Sequence, residues 1–281
     1  MVTFHTMTPD DQGFFLGLID SVGWGLTEAD YRRMLKFSPD GVFKAAVGGV
    51  DVGVVVTVEY GDVAWIGNLV VAPGARGRGV GGALMRRAMD HLLGLGVRSI
   101  RLDAVEKAIP LYRRLGFREE YWSLRYTGRA SRSHVVGVEP MRGGDLDAVA
   151  GLDHAFFGGR RGRLLGWVFD AYPDLCFGSW EDDTLTGYIM AKDGSDSVRV
   201  GPWICRPGHV EAAEALLRSV MNMRVGEAVW VGCPEGNGSS VAVLERNGFM
   251  ALPSSLRMCY GGCFVREEVE GVYGLGGPDK G

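Results

Sequence analysis

The stretch Leu69-Val-Val-Ala-Pro-Gly-Ala-Arg-Gly-Arg-Gly-Val-Gly-Gly-Ala-Leu-Met85 runs an apolar strand into a glycine loop with Arg76 and Arg78, and then into a helix. A loop of this kind suits a pyrophosphate. Glycines let backbone N–H groups close on phosphate oxygens, and a helix N-terminus near Gly79 adds its partial positive charge. The spacing admits two ligands, because Gly77, Gly79 and Gly82 also satisfy the dinucleotide fingerprint G-x-G-x-x-G, with Asp103 following as a ribose-binding acid would. The upstream chain separates them. Val42 to Val47, Val52 to Tyr60 and Val63 to Val71 are β-branched and aromatic runs joined by the turns Gly48-Gly49-Val50-Asp51 and Gly61-Asp62, a series of hairpins. A dinucleotide fold opens instead on alternating strands and helices.

Arg76-Gly77-Arg78-Gly79-Val80-Gly81 resembles the coenzyme A signature Gln/Arg-x-x-Gly-x-Gly/Ala of the GNAT superfamily of N-acyltransferases. Downstream, Ala108-Ile-Pro-Leu-Tyr-Arg-Arg-Leu-Gly-Phe117 is similar to that superfamily's A-x-x-L-Y-x-x-x-G-F. The two motifs stand in order with a helix and a strand between them, as the fold requires. The resemblance implies a mixed α+β fold, a mostly antiparallel central sheet flanked by helices, and acetyl-CoA or another acyl-CoA as cosubstrate.

The plan occurs twice. At a fixed offset of 132, Ala83, Leu84 and Arg86 fall on Ala215, Leu216 and Arg218, and Arg114, Gly116 and Phe117 fall on Arg246, Gly248 and Phe249. Register held through a helix, a strand and another helix marks an internal repeat. The polar stretch Gly128-Arg-Ala-Ser-Arg-Ser-His134 reads as the linker, giving a first domain over 1–128 and a second over 134–281 that includes a glycine-rich tail from Glu267. In both copies the expected order is strand, two helices, three antiparallel strands, helix, strand, helix and closing strands, with Thr27-x-x-Asp30 as a helix N-cap in the first. The second copy is altered at the loop: with Pro207 on Pro73 two residues are missing, Glu211 falls on Gly79, and Val243-Leu244 replaces Leu111-Tyr112. A carboxylate at the helix start repels a pyrophosphate. The second domain therefore reads as a degenerate GNAT-like copy that binds no coenzyme. Trp180, Tyr188 and Trp203 there line a pocket or fill a core.

Composition agrees with two such domains of about 130 to 150 residues. Hydrophobic residues at 46% suffice for full cores, and a net charge of −4 gives no reason to expect nucleic acid or an anionic membrane as partner. The cluster Arg160-Arg161-Gly-Arg163 reads as solvated. No apolar run approaches the roughly 18 residues that span a bilayer, and no signal peptide precedes the first strand, so a cytoplasmic protein is expected. Five cysteines, Cys176, Cys205, Cys233, Cys259 and Cys263, show no paired metal-ligand pattern, so reduced thiols and no metal are expected. A monomer or homodimer fits equally.

For chemistry, the resemblance implies direct attack of a primary amine on the thioester in a ternary complex, and no covalent intermediate. The first domain contains no cysteine and no serine in a nucleophile elbow, in keeping with that route. The resemblance further implies that backbone N–H groups at Val70 and Val71 polarise the thioester oxygen and that Arg76, Gly77, Arg78, Gly79, Val80, Gly81 and Gly82 hold the pyrophosphate. Tyr112 falls where the family often places the general acid for the leaving thiolate; a tyrosine packed at a helix start is the plainer reading. Eleven residues before Arg76, where some members carry a glutamate base, this chain has Trp65. Asp103, Glu59 and a water held by Asn68 are the substitutes, with Asp103 preferred at the carboxyl end of its strand. Trp24 between Gly23 and Gly25, together with Trp65 and Asn68, are the candidate substrate contacts, Trp24 as an aromatic lip or a core plug. The acceptor is a small-molecule or peptide amine. The rival reading is a non-catalytic acyl-CoA-binding module.

Overall fold

Hairpins do form where glycines permit them. Gly48 and Gly49, both left-handed (φ 60° and 81°), make a two-residue turn between the paired Val47 and Val50, the geometry whose twist matches the flanking strands. The structure is a computed structural model, and it describes residues 2–262 and 267–281. Cys263 lies outside the described residues. The chain forms two compact units, the first built from residues 2–119, 258–262 and 278–281, the second from 120–257 and 267–277.

The first unit contains β1 (Val2–Thr6), α1 (Gln12–Asp20), α2 (Glu28–Phe37), β2 (Val42–Val47), β3 (Val50–Glu59), β4 (Val63–Val71), α3 (Val80–Gly94), β5 (Ser99–Ala104) and α4 (Ile109–Arg114). Its sheet has the order β1-β2-β3-β4-β5, antiparallel except for the parallel pair β4 and β5, and residues 258–261 complete it beside β5. The expected cap of α2 is present: Asp30 N–H donates to Thr27 Oγ1 at 3.2 Å and Thr27 N–H to Asp30 Oδ2 at 3.1 Å. One face of the sheet packs Val54, Val56 and Val70 against Phe15, Leu18 and Ile19 of α1 and Tyr31 and Met34 of α2. The α3 side is set by Leu84, fully buried, with a Cβ at Gly53 only 3.0 Å from its Cδ1.

The second unit repeats the order with β6 (Arg118–Arg129), β7 (Glu139–Pro140), α5 (Leu146–Phe157), α6 (Gly162–Ala171), β8 (Cys176–Glu181), β9 (Thr184–Asp193), β10 (Val198–Cys205), α7 (Val210–Met223), β11 (Ala228–Pro234), α8 (Gly238–Arg246), β12 (Met250–Gly261) and β13 (Val272–Gly274). Leu216 is as fully buried as Leu84, so the helix leucines of the two copies do the same work. Tyr188 and Trp203 are also fully buried, which assigns both to the core. Arg161 is buried rather than solvated, because Asp153 accepts bonds from its Nε at 2.9 Å and Nη2 at 2.8 Å.

The units differ from the boundaries 1–128 and 134–281 in which strands they own. Ser123 to Arg129 of β6 pair with β11, Tyr126 opposite Val231, and the strand belongs with the second unit from Glu120 onward, whereas residues 258–262 and 278–281 belong with the first. Both copies end in a long strand of similar composition, and only pairing decides which sheet it joins.

Candidate functional site

The site of the first unit begins at a break in register. Val54 pairs with Val70 and Val56 with Gly67, so β4 carries one more residue than β3 across this interval. The extra residue produces a bulge, and Asn68 takes a left-handed conformation there (φ 52°), rare for a side-chain-bearing residue. Its amide lies 3.8 Å from Met34 Sδ of α2. Just before the bulge, β4 and β5 part. Their ladder runs through Val63 and Ser99, Ala64 and Ile100, and Trp65 and Arg101, although the strands continue to Val71 and Ala104. Divergence of parallel strands frees main-chain groups along Gly67 to Val71 for an extended ligand that bonds as an added strand would.

Beyond β4, a short turn over Pro73–Ala75 leads to the loop. Arg76 Nε donates to the Val71 carbonyl at 2.8 Å, which ties the loop back to the end of the strand. Gly77 and Gly79 are left-handed (φ 75° and 78°), and a Cβ on either would meet nothing within 4 Å. Conformation, not crowding, is therefore what requires glycine at these two positions. Gly79 is the N-cap of α3, and the helical ladder starts with Ala83 N–H donating to the Gly79 carbonyl at 3.0 Å. The N–H groups of Val80, Gly81 and Gly82 precede that bond and are directed out of the helix end. Arg76, Arg78, Gly77 and Gly79 are exposed, whereas the Val80 side chain is buried and contributes only backbone. These residues fit a pyrophosphate.

Tyr112 on α4 is buried, with its ring 6.0 Å from that of Phe117 in an edge arrangement. Burial alone pushes its phenol up to about 12. Tyr31 is raised to about 12 as well, by burial first and the Asp11 carboxylate second. Since a raised phenol favours the folded state only while protonated, this stability is complete below the ordinary value of about 10 and is lost as pH rises through 12. Urea unfolding at about pH 9 and about pH 11.5 should show it, with Tyr112→Phe cutting the alkaline loss by up to roughly 2 kcal/mol.

The remaining sequence candidates scatter. Asp103 is half-buried on β5. Glu59 at the end of β3 accepts from Ser38 Oγ at 3.1 Å. Trp24 stands 36% exposed in the connection of α1 to α2, so it is not a core plug. Trp65 is fully buried, its ring 5.9 Å from that of Tyr60 and its face 5.6 Å from the Arg101 guanidinium, so packing fixes it. Sequence reading passed over three charged residues on the same side of β4 as α2. Arg33, Asp279 and Lys280 are buried there, and a Cβ at Gly67 would sit 2.5 Å from Asp279 Cα. The Gly-Pro-Asp-Lys-Gly segment offers no periodic signal that could have found the last two.

In the second unit the corresponding wedge is filled by the chain itself. β10 and β11 pair from Val198 and Val229 through Val200 and Val231; beyond that point β13 lies along β10, Trp203 opposite Gly274 and Ile204 opposite Val272. Leu275 N–H then donates to the Gly232 carbonyl at 2.7 Å. Asn237 Nδ2 donates to the Glu270 and Val272 carbonyls at 3.0 and 2.9 Å, and Ser240 Oγ to the Tyr273 carbonyl at 2.7 Å, which fixes the inserted strand. The loop has shortened too. Pro207 is two positions from the cap His209, against six between Pro73 and the cap Gly79. The equivalent of Gly79 is thus His209, while Glu211 lies within the first turn of a helix lengthened by two residues relative to its leucine. These residues do not fit a coenzyme.

Among the described residues no group of three or more His, Cys, Asp and Glu is placed to hold a metal ion, and no helix is long and apolar enough to cross a membrane.

Residues 12–117 match the GNAT acetyltransferase family, and residues 149–274 match a GNAT acetyltransferase domain. A holothin acyltransferase of Pseudoalteromonas is 25% identical over 241 residues, which cover 85% of this chain and 81% of the relative. A candidate acetyltransferase from Pyrococcus horikoshii superposes with a TM-score of 0.84 at 23% identity, over 100% of this chain and 96% of that one. A tandem GNAT protein of the clavulanic acid biosynthesis pathway gives 0.68 at 15% identity, over 93% and 98% of the two chains. At these identities the structures speak for the fold alone. The chain belongs to the GNAT acetyltransferase family and carries its domain in tandem.

Proposed function

We propose that the protein transfers an acyl group, in first place acetyl, from acyl-CoA to a primary amine by direct attack within a ternary complex, and that the first unit alone performs it. One observation carries this reading. The first unit pairs a parted β4 and β5 with an open, left-handed glycine loop, whereas β13 fills the same place in the second.

Acyl-CoA supplies an activated thioester, and the chain supplies the rest. Backbone N–H groups at Val70 and Val71 orient the thioester oxygen and stabilise negative charge that develops on it. The first-turn N–H groups of α3 with Arg76 and Arg78 hold the pyrophosphate. Tyr112 stays protonated at any working pH and donates a hydrogen bond toward the leaving sulfur. Full proton transfer from a phenol near 12 to a thiolate of about 8.5 would be uphill by roughly 5 kcal/mol, so solvent completes the protonation. The neutral amine is the nucleophile, and Asp103 at the carboxyl end of β5 accepts the proton that its nitrogen sheds as the C–N bond forms. Trp24, Trp65 and Asn68 shape the acceptor side, Trp65 from beneath.

A small-molecule amine is the favoured acceptor class over a peptide amine, and holothin is a direct compound to assay given the Pseudoalteromonas relative. The test is calorimetric binding of acetyl-CoA with thiol release followed across primary amines and holothin. Binding with amine-dependent release is expected. Tight binding with no release by any amine would favour the non-catalytic module, and absence of binding would overturn both readings.

A further inference from the structure

The two copies treat one turn of their long helix differently. At the offset of 132 that lays Leu84 on Leu216, Gly82 falls on Glu214, Arg86 on Arg218 and Arg114 on Arg246. In the second unit these residues form a closed ion cluster. Glu214 Oε1 accepts from Arg218 Nη2 at 2.7 Å and from Asn247 Nδ2 at 2.9 Å, and its Oε2 accepts from Arg246 Nη2 at 2.8 Å. One carboxylate on α7 thus holds two guanidinium groups, the first from its own helix and the second from the end of α8.

The first unit keeps both arginines and lacks the acid. Glycine stands in its place: a Cβ at Gly82 would lie 3.8 and 4.0 Å from Arg86 Nη1 and Nη2, and 3.6 Å from Leu111 Cδ1 of α4. Arg86 therefore folds back toward the start of α3, over the position that Glu214 takes in the other copy. Arg114 stands three residues beyond Leu111, on the same face of α4. Both arginines are exposed, and among the described residues neither side chain makes an ion pair, a hydrogen bond or a ring contact. Their neighbours are committed elsewhere. Arg113 Nε donates to Glu119 Oε1 at 2.8 Å, and the Arg87 guanidinium lies 4.5 Å from the Phe43 ring. Two cations held by the frame that elsewhere clamps an anion attract one from outside the chain.

We infer that Arg86 and Arg114 hold a phosphate monoester in the place where Glu214 stands in the second unit, and that this is the 3′-phosphate on the ribose of coenzyme A. This rests on the reading of the first unit as the acyl-CoA site. The second unit has then replaced the coenzyme with its own residues twice, β13 standing for the extended arm and Glu214 for an anion. Charge assigns the anion. The pyrophosphate already faces Arg76, Arg78 and the first-turn N–H groups of α3, whereas two further guanidinium groups match the monoester, which carries about −1.5 to −2 at neutral pH. The ribose joins the two phosphates by a few covalent bonds, so both lie along the first two turns of α3.

The experiment is calorimetric binding of acetyl-CoA and of acetyl-dephospho-CoA, which lacks only that phosphate, to the whole chain. Wild type should bind acetyl-CoA about tenfold more tightly, and added salt should shrink the preference. Arg86→Gln and Arg114→Gln should each cut the preference several-fold while leaving acetyl-dephospho-CoA binding unchanged, and the double variant should abolish it. Arg87→Gln removes the same charge from a side chain that stacks on Phe43, and it should keep the preference. Gly82→Glu copies the second unit, so its carboxylate should take both arginines and remove the preference as well. Equal affinity of wild type for the two compounds, or a preference that survives in the double arginine variant, overturns the inference and leaves the acyl-CoA reading standing. Equal losses for both compounds in the arginine variants overturn it too, because they place Arg86 and Arg114 on the pyrophosphate. Absence of any acetyl-CoA binding sinks both readings together.

Discussion

Gly79→Asp is expected to weaken acetyl-CoA binding at least about a hundredfold while leaving the first unit folded. Aspartate is among the few side chains that enter the left-handed region at modest cost, and a Cβ at this position meets no atom, so the backbone need not move. What changes is the field at the end of α3. A carboxylate about 5 Å from one pyrophosphate charge, at an effective dielectric near 20, costs roughly 3 kcal/mol. Gly79→Asn is the control, since it has the same shape and no charge and should lose only a few-fold. If the two variants bind acetyl-CoA equally, the loop is not where the pyrophosphate rests. Both proteins should unfold at the same urea midpoint as each other, below wild type by the equivalent of the roughly 1 kcal/mol that a left-handed side chain costs.

Tyr112→Phe is expected to lower kcat by about a hundred- to a thousandfold, the loss of one transition-state hydrogen-bond donor, and to leave the acetyl-CoA dissociation constant unchanged. The ring stays, so its edge contact with Phe117 survives and the pocket keeps its volume. Only the hydroxyl is lost. A fall in kcat and kcat/KM together would place its interaction in the transition state, whereas a rise in KM alone would make Tyr112 a binding surface. Because burial holds the phenol near 12, the wild-type rate should show no inflection from this group at neutral pH. An acid limb of the profile comes from protonation of the substrate amine or of the group that takes its proton. Asp103→Asn tests that second role through the same pH profile.

Local chemistry made much of this legible beforehand. The Gly48-Gly49 turn, the Thr27 and Asp30 cap, the glycine loop and the paired helix leucines are each written within a few residues, and the structure forms them. Strand ownership is different in kind. Nothing within β6 distinguishes Tyr126 paired with Val231 from Tyr126 paired elsewhere, because alternation fixes a strand's faces and not its neighbour. The loop comparison between the copies fails for a similar reason. A shortened turn and a lengthened helix partly cancel in the count, so sequence placed Glu211 where geometry places His209. Arg161 reads as a solvated charge and Asp279 carries no sequence signal, yet each is buried with a partner that only tertiary structure supplies.

The strand β13 turns the second unit into a protein that carries its own ligand. A bound small molecule stabilises a fold by an amount that rises with its concentration, roughly 2.7 kcal/mol at a hundred times the dissociation constant, and vanishes when the supply does. A covalently tethered strand has no such dependence, because it is never diluted. Val272 to Gly274, held by Asn237 and Ser240, thus give the second half a contribution to stability that does not vary, whereas on the proposed assignment that of the first rises with the coenzyme supply. On the proposed assignment, added acetyl-CoA should raise the unfolding temperature of the first unit and leave that of the second unchanged.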